Sequence, residues 1–210
     1  RVQELGGEAL DCPVSGGCHR AETGNISIFA GGERSSFEKI LPVLKVLGRN
    51  ILHTGALGSA SVLKVLTNYL ATANLVTVCE ALTTAKMAGM DLSTTYEAIR
   101  ISSGNSFVHE TESQVILNGS RDINFTMDLV LKDISLFQSI AERAGVPLEV
   151  SPLLIDIFKD GEQRYGSREW SSNIIRRLED ACETQILASG FPAQMTDDEP
   201  EVSGEEVVVQ

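Results

Sequence analysis

Cysteine clusters, basic stripes and nucleotide-binding loops are all missing from this sequence. Its four cysteines, Cys12, Cys18, Cys79 and Cys182, are scattered, with no CxxC and no Cys/His group at metal-ligand spacing. That excludes a disulfide framework and a metal centre from the reading and points to a reducing compartment such as the cytoplasm. The formal net charge is -12, and six acids lie in the last fourteen residues: Asp197, Asp198, Glu199, Glu201, Glu205 and Glu206. The rest of the chain keeps 23 acids and 17 bases without a basic stripe. Nucleic acid and anionic membrane surfaces are therefore poor partners. No signal peptide and no unbroken apolar run of eighteen residues occurs, so no membrane span is expected. No Ser-His-Asp set, no HExxH, no Walker loop and no GxGxxG after a strand is found. There is no internal repeat.

What is present suffices for a large core: 210 residues, 42% of them hydrophobic. Residues 9–14 read as a short strand, followed by a tight Ser15-Gly16-Gly17 turn. Residues 25–30 read as a second strand and 50–54 as a third. Between them a helix capped by Ser35 or Ser36 runs to Val46, with Gly48 as its stop. From Leu57 the pattern is helical almost throughout, with stops at Gly89, Asn118-Gly119 and Gly145. The later helices are expected over 94–102, 107–117, 126–144, 152–165 and 170–181, the first capped by Ser93. The three strands are too few for a sheet of their own and suit the last strands of a larger α/β domain. The fold class is therefore mainly α: an all-helical domain around one long helix, preceded by a short αβ remnant.

That long helix, 57–88, carries the oddity on which the functional reading turns. Lys64 is the only Asp, Glu, Lys or Arg between Arg49 and Glu80. Asn68 lies one helical turn on, so both side chains leave the same face. The helix is apolar nearly all round, which predicts that the other helices wrap it. A lone lysine there either snorkels to an edge and pairs with an acid, or does chemistry. Burial disfavours its charged form and suits it to acid–base work near neutral pH. Ser15-Gly16-Gly17 is either a plain turn or an anion cradle whose backbone can approach a carboxylate. A carboxylate on that turn and a hydroxyl on Lys64 together describe a hydroxy acid. Lys132-Asp133 is a second charged pair, although Lys132 is also spaced to form a helical ion pair with Asp128. His53 is read as satisfying local hydrogen bonds.

Three motifs, in order, resemble the β-hydroxyacid dehydrogenases, the group of 3-hydroxyisobutyrate dehydrogenase, tartronate semialdehyde reductase and L-threonate dehydrogenase. Asp11-Cys12-Pro13-Val14-Ser15-Gly16-Gly17 is similar to the family's DxPVSGG. Gly58, Ala60, Lys64 and Asn68 fall on its GxGxxxKxxxN, and Lys132-Asp133 on its KD pair. Two positions depart from the family: Ala60 and Arg20 stand where it has glycine. The resemblance implies a substrate carboxylate held by Ser15, Gly16 and Gly17, Lys64 as general acid/base, and Asn68 orienting Lys64 or the substrate. It further implies Lys132 beside the NAD or NADP cofactor or the substrate with Asp133 positioning it, a small 3-hydroxy acid as substrate, and a homodimer or homotetramer. The helical part would be like the C-terminal domain of 6-phosphogluconate dehydrogenase. The GxGxxG half of the family's Rossmann domain is not in this sequence, which begins at Arg1 without a methionine. A segment is expected to be missing upstream, and the portion in hand is expected to be inactive alone.

The expected division is 1–56, an αβ remnant with the substrate-binding turn; 57–192, the all-α domain of catalysis and oligomerisation; and 193–210, an acidic disordered tail. The alternative functional reading is a non-catalytic oligomerisation module or pseudoenzyme derived from such a dehydrogenase. A docking role for the tail is a further alternative.

Overall fold

In the computed structural model, which describes residues 1–209, the chain divides into two units. The first comprises Arg1–Thr67 and the end of the chain from Thr196; the second is Asn68–Met195.

The first unit is built on a four-stranded sheet in the order β1-β2-β3-β4, with β1 at Val14–Ser15, β2 at Ser27–Gly31, β3 at Asn50–Gly55 and β4 at Glu205–Glu206. β1 runs antiparallel to β2, while β2–β3 and β3–β4 are parallel. A parallel neighbour requires a crossover, and helix α2, Arg34–Leu47, supplies it between β2 and β3. A short helix α1, Gly17–Glu22, joins β1 to β2. Ile28 and Ala30 alternate along β2 and, with Ile26 just before it, pack with Ile51, Phe37 and Leu44 into one buried cluster. The period of two places these apolar side chains on one face.

The fourth strand corrects two expectations. The strands do form a sheet, and the acidic tail is not disordered. Gly204 N donates to Lys45 O at 2.9 Å, Glu205 N to Arg49 O at 2.8 Å and Val207 N to Ile51 O at 2.8 Å. Asn25 Nδ2 donates to Asp197 at 2.7 Å and to Glu199 O at 2.9 Å. Arg20 and Arg49 both pair with Glu199, and Arg34 with Glu206. The acids that look like a solvated run in sequence find three arginines that only the fold gathers. Gly204 is obligatory here, since a Cβ would lie 2.0 Å from Gly48 O. Gln210 lies outside the described residues.

Helix α3, Ser59–Met87, begins in the first unit and continues into the second. There it is followed by α4 Leu92–Arg100, α5 Phe107–Asn118, α6 Met127–Ala144, α7 Val150–Tyr165, a 3-10 turn Ser171–Ile175 and α8 Arg176–Ala181. Asp91, rather than Ser93, caps α4 by accepting from Thr94 N at 2.8 Å. The helix expected over 170–181 starts late because this stretch is tied to the start of α6: Ser171 N donates to Phe125 O, and Met127 N donates to Glu169 O. Leu75, Val76, Val78, Cys79 and Leu82 of α3 enter a core with Leu117, Met127, Ile134, Phe158 and Ile175.

That is one stripe of α3, not its whole surface. Leu70 is 58% exposed, and Asn74, one turn further along, is exposed as well. The expectation that other helices wrap α3 on all sides is therefore not met by the single chain. By length and composition α3 is the one helix among the described residues apolar enough to cross a membrane, yet its buried stripe belongs to the helical core.

Candidate functional site

Ser15 ends β1, and the two glycines after it turn the chain into α1 with positive φ, 134° at Gly16 and 81° at Gly17. Such angles are costly for any residue with a Cβ. Arg20 lays its side chain over Gly16: a Cβ there would lie 3.2 Å from Arg20 Cδ. The guanidinium of Arg20 goes to Glu199, 2.9 Å away.

Asp11 heads the same segment. Its Oδ1 accepts from Gly58 N at 2.8 Å, and its Oδ2 accepts from Ser61 N and Ser61 Oγ, both at 2.7 Å. Desolvation works to raise its pKa, but these hydrogen bonds outweigh it and hold the carboxyl below the usual range. Asp11 opens the DxPVSGG motif but is not among the site residues expected from the sequence. Lys64 lies three residues beyond Ser61 on α3 and is half-buried rather than engulfed. Thr67 Oγ1 donates to Lys64 O at 2.9 Å, an ordinary helical back-bond. His53 Nε2 lies 2.8 Å from Gly32 O, the local hydrogen bond expected of it.

In the second unit three candidates come together. Asn68 Nδ2 donates to Asp133 Oδ2 at 2.5 Å, and Lys132 Nζ is 3.0 Å from Asp133 Oδ1. Asp133 is buried while Lys132 is exposed. Asp128, the alternative partner for Lys132, instead pairs with Arg168 at 3.1 Å. Next along both helices, Tyr69 and Phe137 stack with centroids 3.9 Å apart and planes 8° from parallel. A carboxylate in this setting fixes an amide on one side and an ammonium on the other. The four cysteines are unpaired, and burial raises the Cys79 thiol so that it stays protonated. Among the described residues no group of three His, Cys, Asp or Glu could hold a metal ion.

Residues 58–178 match the family described as the NAD-binding domain of NADP-dependent 3-hydroxyisobutyrate dehydrogenase, and residues 1–55 match the NAD binding domain of 6-phosphogluconate dehydrogenase. The chain belongs to the β-hydroxyacid dehydrogenase family. It is 35% identical to 2-(hydroxymethyl)glutarate dehydrogenase of Eubacterium barkeri over 89% of this chain and 62% of that protein. It is 30% identical to 2-hydroxy-3-oxopropionate reductase of Escherichia coli K12 over 85% of this chain and 61% of that one. Among solved structures, 3-hydroxyisobutyrate dehydrogenase from Salmonella typhimurium superposes with a TM-score of 0.73 at 26% identity, covering 84% of this chain and 62% of that chain. The chain thus spans under two thirds of the length of these relatives. NAD(P) is the cofactor of the family, and the helical domain after an αβ part is its fold.

Proposed function

We propose that this chain carries the substrate-anchoring and acid/base residues of an NAD(P)-dependent dehydrogenase that interconverts a small 3-hydroxy acid and its semialdehyde. Ser15, Gly16 and Gly17 hold the substrate carboxylate, and Lys64 exchanges the proton of the reacting hydroxyl. Asn68 orients the reacting groups, and Lys132 with Asp133 faces the cofactor. The observation that most supports this reading is the Asn68–Asp133–Lys132 linkage. It joins residues of two separate family motifs through one buried carboxylate. An exposed ammonium steadied by a buried acid suits a phosphate or carboxamide oxygen of a dinucleotide. A bound NAD(P) would supply the hydride-transfer chemistry. In the oxidative direction Lys64 Nζ, in its neutral form, takes the hydroxyl proton; in the reductive direction it returns it. We further propose a homodimer or homotetramer, supported by the exposed apolar side chains of α3, and a reducing compartment, supported by four unpaired cysteines.

The test is nicotinamide turnover by the full-length protein against a panel of small 3-hydroxy acids, with NAD and NADP offered separately. Lys64→Ala is expected to lower kcat roughly 100-fold or more, the usual scale of a general acid/base. A variant within threefold of wild type overturns the role. The alternative, a non-catalytic oligomerisation module, predicts a stable oligomer by sedimentation with no turnover at all.

A further inference from the structure

Gly58, which precedes α3, offers no side-chain oxygen, although helix starts leave up to four N–H groups unsatisfied. Asp11 supplies an acceptor from 47 residues away, using Oδ1 for Gly58 N and Oδ2 for Ser61 N and Ser61 Oγ. A local cap would satisfy the same donors without fixing where the helix starts. A cap borrowed from another segment also locates the helix.

Asp11 is held on its own side too. Its main chain exchanges two hydrogen bonds with Gly31, Asp11 N to Gly31 O at 3.0 Å and Gly31 N to Asp11 O at 2.9 Å. Gly31 leaves room for the carboxylate, since a Cβ there would stand 2.4 Å from Asp11 Oδ1, 2.9 Å from Ser59 Oγ and 3.0 Å from Ala56 O. Ser59 Oγ is in turn hydrogen-bonded to Thr54 Oγ1 at 2.6 Å. Strand, glycine and helix start therefore meet at one carboxylate.

Two sequence distances give this junction its consequence. Ser15-Gly16-Gly17 begins four residues after Asp11 on the same segment. Lys64 follows Ser61 by three residues, about one turn and about 4.5 Å along the helix axis. We propose that Asp11 is a positioning residue: its carboxylate sets the spacing between the substrate anchor at Ser15-Gly16-Gly17 and the acid/base Lys64. This rests on the functional reading above. Asp11 touches neither substrate nor cofactor; it acts through the helix start.

The experiment compares Asp11→Asn, Ser61→Ala and Lys64→Ala in the full-length protein. An amide at position 11 keeps one acceptor oxygen but cannot accept from both Gly58 N and Ser61. Asp11→Asn is expected to lower kcat by roughly 10- to 100-fold, because a displacement of about 1 Å can cost that much. KM for the hydroxy acid is expected to stay within threefold, a split that a general loss of fold would not produce. Ser61→Ala keeps both main-chain donors and is expected to lower kcat only three- to tenfold; it carries the test if Asp11→Asn fails to fold. Reductive methylation of the native protein, read by peptide mass, adds a measure that needs no turnover. Asp11→Asn should change the rate at Lys64 at least threefold and leave Lys132 unchanged. An inactive Lys64→Ala beside fully active Asp11→Asn and Ser61→Ala overturns the positioning role alone. An active Lys64→Ala overturns the functional reading and the positioning role with it. If no hydroxy acid is turned over, an unchanged Lys64 methylation rate overturns the positioning role.

Discussion

Asn68 donates its side-chain amide to Asp133 across 2.5 Å, joining residues 65 positions apart in the sequence. Asp133 is 7% exposed, so its charge depends on that amide and on Lys132 for compensation. A buried acceptor stripped of one partner bears its desolvation cost unrelieved.

Replacing Asn68 by Ala is therefore expected to destabilise the protein by about 1–3 kcal/mol, measured by chemical denaturation. Asn68→Asp should cost more, because two carboxylates would then face each other. Asp133→Asn with Asn68 intact should cost less than either, since an amide pair can still form one hydrogen bond. Equal stability for all four proteins would show that the linkage holds nothing.

Glu112 gives a pH dependence of definite sign. Its Oε2 is shut off from solvent without a hydrogen-bond partner, and desolvation pushes its pKa from 4.5 up to about 7. Below about pH 4.5 folded and unfolded chains both hold the proton, and Glu112 costs nothing. Between 4.5 and 7 the unfolded chain releases its proton while the folded one keeps it, so stability falls as pH rises. The loss is of order 3 kcal/mol and is complete above about pH 7. Glu112→Gln should match the wild type near pH 4 and exceed it at pH 8. The difference between their denaturation midpoints across that range is the measurement, and a difference independent of pH rejects the assignment.

The docked tail separates packing from charge. Gly204→Val puts a branched side chain where even a Cβ meets Gly48 O at 2.0 Å, so β4 cannot stay against β3. The expected loss is about 2 kcal/mol or more, with the tail becoming open to limited proteolysis. Glu199→Ala and Glu206→Ala remove half-exposed ion pairs and should each cost about 0–1 kcal/mol. A tail that resists proteolysis equally in Gly204→Val would contradict the strand pairing.

Helix positions in this protein were legible because the information is local. Hydrophobic spacing marks α2, α5, α6 and α7, and Gly119 and Gly145 end two of them in the left-handed conformation that their lack of a Cβ permits. Lys64 stood out because it has no charged neighbour for about thirty residues, and Asn68 because 3.6 residues make a turn. Gly16 and Gly17 were readable as a turn because their positive φ angles are what glycine is for.

Other features needed the tertiary structure, since each depends on segments distant in sequence meeting in space. Nothing local says that Asp11 caps a helix 47 residues away, that Asp133 meets Asn68, or that Asp128 goes to Arg168. The tail misled for the same reason: its acids read as solvated until the fold brings Arg20, Arg34 and Arg49 beside them. The face of α3 that stays exposed is the opposite case, for composition reports how apolar a helix is but not which side is covered. Sequence alone determined which residues are candidates for chemistry, because residue type and helical period are written along the chain. Tertiary structure decided which of them are partners, because hydrogen bonds and burial depend on distances that only folding sets.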